Sequence, residues 1–275
     1  MAVNSLEALG FKSGHDVQHL QRIDPRELPA GSFFDQATIL LHKASPMVLE
    51  EVIPHLEEYE GRWNPGGFMV FPLGVHDVLG SLRFHVYPRG ISRQSDQGGP
   101  NIHNHGWHLI SNVLVGHYRD TLYELEDQGV ILGSNSQLGE KGLLRLFHTK
   151  RNTRGNDMLV TDGRVVRPVP ILNREVPAGN IHTIEANVIY HLTTIPEEQL
   201  TATLVLDSPA FVDTTDVLIN SASPRLSGVQ IEGAMTEIAN ARRDIDHTTT
   251  VLAKAQLMSA IIVRREGLGL YLPGT

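Results

Sequence analysis

The residues best suited to chemistry in this 275-residue chain are its histidines, of which there are 14 against no cysteine. Without Cys there is no disulfide, thiolate ligand or thiol nucleophile, so any metal must take imidazole, carboxylate or water. The segment Asn101-Ile102-His103-Asn104-His105-Gly106-Trp107-His108 sets two histidines two residues apart. On a strand, positions i and i+2 share a face. Both imidazoles can then point at one ion, while His108 falls on the other parity or in a turn. A solvated pair would read the same way, so this motif alone does not decide. A second signal is Pro177-Ala178-Gly179-Asn180-Ile181-His182. Its Pro-x-Gly turn fixes the chain direction and lets the backbone pass closely, so the next strand delivers His182 at a set depth.

The run Ser81-Leu82-Arg83-Phe84-His85-Val86-Tyr87 alternates strictly. An ordinary half-buried strand would send Arg83, His85 and Tyr87 to solvent. A barrel with a buried catalytic face would turn them inward, with Arg83 as an anion clamp and His85 and Tyr87 as proton or hydrogen-bond partners. A buried guanidinium needs a counter-charge, and Asp207 or a substrate carboxylate is the expected one. The other histidines read as supporting groups. Tyr190-His191 is expected to pack or be exposed, His108, His117 and His148 to lie at the surface or behind a site, and Glu185 to end a strand in solvent.

Three stretches must position these residues. Over 1–62, Ile39, Leu40, Val48, Val52, Ile53 and Leu56 recur at helical spacing with a restart at Ser45-Pro46, predicting an N-terminal helical arm. Over 63–225, short runs rich in Val, Leu, Phe and Tyr between Gly and Pro predict many strands, hence a β-sandwich or barrel, with a polar surface excursion at 126–169. Over 226–275, Ile231, Met235, Ile238, Ile245, Leu252, Ser259 and Ile262 predict a long helix or helix pair. That helix is expected to lie against the barrel or, alternatively, to form a homodimer seam.

Composition bounds the partners. With 41% hydrophobic and 20% charged residues the chain can bury one substantial core. A net charge of -8 without any long Lys/Arg run excludes a phosphate-backbone footprint, so nucleic acid is not an expected partner. The first twenty residues lack a basic-then-apolar leader, and no segment is apolar for the length of a membrane span. A cytoplasmic location is expected, with a small-molecule substrate as the partner.

Taken together, the HxH pair, Gly116, the distant PxGxxH and Asn187 resemble the two motifs of the cupin superfamily. The resemblance implies a mainly β fold, a double-stranded β-helix or jelly-roll barrel, with His103, His105 and His182 on a divalent metal. The family's usual Glu would fall on Leu109 or Ile110, so a three-His site without the acid is expected. A narrower resemblance joins the run from His103 through Gly116 to Asp120-Thr121-Leu122-Tyr123-Glu124, with the later Thr203-Leu204-Val205-Leu206-Asp207-Ser208-Pro209, to the thiol dioxygenases of the cysteine dioxygenase group. It implies Fe(II) and O2. The group's catalytic relay is absent, since its positions hold Thr203, Val205 and Asp207; its crosslinking Cys would be Ile110, and 68–73 offers no carboxylate-binding Arg.

An Fe(II)-dependent oxygenase acting on a small polar metabolite is therefore the leading expectation. A Zn(II) or Mn(II) hydrolase, lyase or isomerase is the alternative, and Ni(II) also suits imidazole. A non-catalytic ligand-binding barrel is the third, although no helix-turn-helix accompanies it.

Overall fold

The strand-rich centre of the chain folds into two antiparallel sheets. A computed structural model describes residues 3–12, 27–64, 66–90, 102–130, 142–151, 157–212, 214–219, 235–237 and 244–267. In chain order its elements begin with α1 (Val3–Ala8), β1 (Phe11–Lys12), α2 (Ala30–Met47), β2 (Arg62–Trp63), β3 (Met69–His76), β4 (Gly80–Tyr87) and β5 (Leu109–Val115). They continue with β6 (His117–Val130), β7 (Leu144–Arg151), β8 (Asp157–Val160), β9 (Arg164–Pro177), β10 (Ile181–Ile184) and β11 (Tyr190–Thr194). The last are β12 (Thr201–Asp207), β13 (Thr215–Ile219), β14 (Met235–Glu237) and α3 (His247–Gly267).

One sheet runs β1-β3-β4-β12-β5-β10 and the other β11-β6-β9-β7-β8-β14, with β2 and β13 attached at β3 and β7. Between β4 and β5, His103 bridges to His191 of β11, so the 102–105 segment joins the second sheet. Eight segments, with β7 and β8 intervening between β6 and β9, thus give β4-β12-β5-β10 on one side and 102–105-β11-β6-β9 on the other. That is a jelly roll, the barrel expected from the sequence.

The largest core lies outside this barrel. Phe33, Leu41 and Ala44 of α2 and Ala253 and Leu257 of α3 pack on Leu82, Phe84, Val86, Ile110, Leu114, Leu204 and Leu206 of the first sheet. Each large apolar side chain so buried contributes about 1.5–3 kcal/mol. The sheet therefore spends its apolar parity on the helices, and its other parity faces the second sheet.

Several local features depart from the sequence reading. The N-terminal arm does not restart at Pro46: α2 continues through it to Met47, then widens into a π-turn at Val48–Val52 and tightens into a 3-10 turn at Ile53–Glu58. Proline removes one N–H from the helical ladder, and the widened turn follows that loss. Here the Ser45 hydroxyl donates to the Leu41 carbonyl at 2.6 Å and accepts from the Asn112 amide at 2.7 Å, tying the helix to β5.

Most of the described residues of the 126–169 stretch are strand. β6 and β9 stay paired from His117↔Pro177 to Val130↔Arg164, and β7, β8, β13 and β14 extend the sheet beside them. Its polar composition reflects strands with much solvent exposure, which blurs alternation. Among the described residues of the last block, 247–267 is helix. Met235 lies on β14, and Ile231 and Ile238 fall outside the described residues. Among the described residues no helix is long and apolar enough to cross a membrane.

Candidate metal centre

The HxH segment is fixed by its backbone. His103 N donates to His191 O at 3.1 Å and His191 N returns the bond to His103 O at 2.9 Å, while Asn187 N donates to His105 O at 2.8 Å. Asn104, of opposite parity, accepts the Asp216 N–H on its side-chain oxygen at 2.7 Å. Asp216 in turn accepts Tyr190 Oη at 2.5 Å and pairs with His148 Nδ1 at 2.6 Å. Anchored on that outer side, His103 and His105 project together to the inner side.

There they meet His191. One nitrogen from each of His103, His105 and His191 lies within 4.8 Å of the other two, and the His105 and His191 Nε2 atoms are 3.0 Å apart. The set differs in one member from the sequence expectation: His191 stands in it, and His182 does not. The physical reason is sheet order. β11 is the hydrogen-bonded neighbour of the HxH segment, whereas β10 pairs with β5 in the opposite sheet, Cα of His182 facing Ser111. His191, expected to pack or be exposed, is buried, and its ring packs against those of His103 and His105.

Asp120 joins His182 to this group. On β6 it stands in register with Thr193 and Arg174. Its Oδ1 accepts from His191 Nδ1 at 3.0 Å and from Thr193 Oγ1 at 3.1 Å. Its Oδ2 lies 3.4 Å from His182 Nε2 and 3.8 Å from the Arg174 guanidinium. The sequence reading passed over Asp120 and Arg174, although inward parity shared with Tyr118 marks Asp120 as a charged residue on a buried face.

Burial decides the protonation of these rings. Desolvation, aided by the neighbouring imidazoles, holds His105 and His191 well below the usual histidine range. It lowers His182 to about 3, against the pull of Asp120. Neutral imidazoles with free lone pairs are what a divalent cation requires. Bonds of about 2.1 Å in a tetrahedral shell put ligand atoms roughly 3.4 Å apart, a spacing the three nitrogens reach with small ring rotations. Two Nε2 atoms facing each other at 3.0 Å suit a shared cation as well as they suit a hydrogen bond. The residues fit a metal.

On β4 the inner parity carries Arg83, His85 and Tyr87, and Leu82, Phe84 and Val86 face the helices. Arg83 pairs with Asp207 at 2.9 Å, and Thr203, Val205 and Asp207 share that inner parity on β12. Phe68 packs on His85 and Tyr87, with ring centroids 4.9 and 4.7 Å away. Burial lowers His85 to about 3, helped by the Arg83 charge. The same burial raises Asp207 even though Arg83 opposes it. Arg83 Nε and His85 Nε2 are buried without a hydrogen-bond partner, Trp107 lies against the Asp207 carboxylate, and the His105 and Trp107 rings lie 5.2 Å apart. The inner face therefore carries unsatisfied donors and acceptors close to the histidine group.

The remaining histidines have other duties. His108 is buried against Phe33, Phe34 and Phe211, with Nδ1 accepting the Ala186 N–H at 3.1 Å. His117 sits 3.4 Å from Glu175 at an exposed turn, and Glu185 is exposed.

A scan against protein-family models finds no match, and neither does a search of curated proteins. Among solved structures the chain is similar to an RmlC-like cupin from Shewanella frigidimarina, at TM-score 0.30 and 14% identity, covering 56% of this chain and 86% of that one. It is also similar to a structure described in connection with the mechanism of oxalate oxidase, at TM-score 0.30 and 14% identity, covering 71% and 75%. Both are remote likenesses, and the reading of this site stands on its own geometry: three imidazoles, one buried and two half-buried, converge inside a jelly roll.

Proposed function

We propose that this chain is a metal-dependent enzyme, a non-haem Fe(II) oxygenase that holds its ion on His103, His105 and His191 and acts on a small polar metabolite. The observation that carries the reading is the convergence of three imidazole nitrogens within 4.8 Å on the inner face of the barrel. Fe(II) bound there would supply O2 activation and two or three open positions for substrate. The choice of iron rests on the HxH and closing strands that resemble the thiol dioxygenases.

The chain's own residues would bind and orient the substrate. Arg83, held by Asp207 on one guanidinium edge, keeps its Nε free to receive an anionic or carbonyl oxygen. His85, neutral at physiological pH, can accept or donate one hydrogen bond, and Tyr87 beside it can do the same. Phe68 covers both rings and limits water at this edge. A Zn(II) hydrolase or lyase remains the second reading, because three imidazole ligands with an open position also suit water activation.

Metal analysis of anaerobically purified protein tests both. Close to one iron per chain, with O2 consumed on adding the substrate, is the expected result, and Ala at His103, His105 or His191 should abolish the iron. Zinc without O2 uptake would move the assignment to the second reading. Neither metal nor turnover would leave a ligand-binding barrel.

A further inference from the structure

The strongest unassigned feature is the charged group behind His191. Asp120 is fully buried, yet it is not a simple ion pair, because it meets two imidazoles, a hydroxyl and a guanidinium. Resting on the metal reading above, we propose that Asp120 is a positioning residue: it takes the Nδ1–H of His191 and thereby aims the Nε2 lone pair of that ring at the ion. His182 and Arg174 belong to the support of this carboxylate and not to the ligand set.

The geometry requires a division of labour between the two nitrogens of His191. Asp120 Oδ1 lies 3.0 Å from Nδ1, and an ionised carboxylate only accepts, so the proton sits on Nδ1. Nε2 then carries the lone pair, and it is Nε2 that faces His105 at 3.0 Å. Thr193 donates to the same carboxylate oxygen at 3.1 Å and fixes its rotation. On the far side, Arg174 approaches both Oδ2 and His182 Nε2, at 3.8 and 3.3 Å. His182 thus meets Asp120 at Oδ2, the oxygen that does not take the His191 Nδ1–H. A carboxylate hydrogen-bonded to a ligand imidazole raises its basicity and locks its orientation, and losing such a partner weakens metal binding by about 10- to 100-fold.

The test uses the full chain with Co(II) as probe metal. Competition against a chelator gives affinity, the visible absorption of bound Co(II) reports ligand geometry, and ¹⁵N chemical shifts of the metal-free protein report the His191 tautomer. Asp120→Asn, close in shape, should bind Co(II) about 10- to 100-fold more weakly with an altered spectrum, and its metal-free form should lose the fixed Nδ1–H tautomer. His182→Gln should keep one Co(II) per chain. If Asp120→Asn fails to fold, Arg174→Gln, at a partly exposed position, should shift affinity and spectrum in the same direction by a smaller factor. Unchanged affinity and tautomer on removing the charge would overturn the positioning role while leaving the metal reading intact. Loss of the ion in His182→Gln with retention in His191→Gln would overturn it as well. A wild-type protein that binds no Co(II) would instead overturn the metal reading itself.

Discussion

Arg83 and Asp207 show how a single pair can be held against its own cost. The carboxylate is 5% exposed, and its pKa is raised even with a guanidinium 2.9 Å away, so desolvation outweighs attraction. Such pairs are weak contributors to stability, but breaking one strands a charge. Arg83→Ala should therefore cost about 3 kcal/mol in urea unfolding, whereas Arg83→Met combined with Asp207→Leu should recover most of that loss. Both variants should lose substrate turnover, and both should keep their metal. Arg83→Lys preserves charge without the planar fork, so it should lower turnover at normal metal content. If the double variant were as unstable as the single one, the pair would be a structural device and not a substrate-facing one.

At the scale of elements, β12 is buried on both faces and β4 is buried on one and half-buried on the other, one face packing on helices and one lining the barrel. The two faces should respond separately to mutation. Phe84→Ala, on the helix side, should cost about 3–5 kcal/mol in unfolding free energy and leave metal stoichiometry unchanged. Gly116, which divides β5 from β6, has φ +72°, and a Cβ there would meet the Leu200 carbonyl at 2.2 Å. Gly116→Ala should therefore destabilise by at least about 1–3 kcal/mol and move β6, with Asp120 on it, relative to β12. Its signature would be weakened Co(II) binding as well as a lower melting temperature, and a normal affinity would separate the turn from the site.

For the whole molecule, buried neutral histidines set the response to acid. His85 and His182 fall to about 3 in the folded chain, and His108 is also lowered. An unfolded histidine titrates near 6.5, so below that pH the unfolded chain binds protons the folded one refuses, at about 1.4 kcal/mol per pH unit per group. Stability of the metal-free protein should thus be full above pH 6.5 and fall steadily towards pH 3. Asp120 and Asp207, whose pKa values are raised, oppose this as they protonate, but they are fewer than the imidazoles. Urea midpoints measured across pH 7.5 to 4 check the slope, and a flat profile would mean the rings are solvated. Metal binding competes with the same protons, so the loaded protein should release its ion over this range. At saturation near 100 times Kd the ion adds about 2.7 kcal/mol, and stripping it at pH 7.5 should lower Tm by several degrees.

Period-2 alternation across 81–87, the Pro-x-Gly turn and the paired histidines at 103 and 105 are local facts, and local chemistry suffices to read strands, a barrel and a metal-seeking pair from them. Helical spacing likewise marked α2, because an amphipathic stripe is a property of one segment, but in the last block Leu252, Ser259 and Ile262 lie on α3 exposed, and Ala253 and Leu257 are its buried residues. The third imidazole was not local. His191 reaches His103 through a bridge between segments 88 residues apart in sequence, set by the order of strands in a sheet, and motif spacing pointed instead to His182. Which face of β4 looks inward was equally undetermined, since alternation gives two faces but not their surroundings. Only the packing of α2 and α3 on Leu82, Phe84 and Val86 left the other parity to the barrel. Asp120 shows the same limit: an acidic residue on a strand reads as solvated until a second sheet closes over it and desolvation turns it into a partner for two histidines and an arginine.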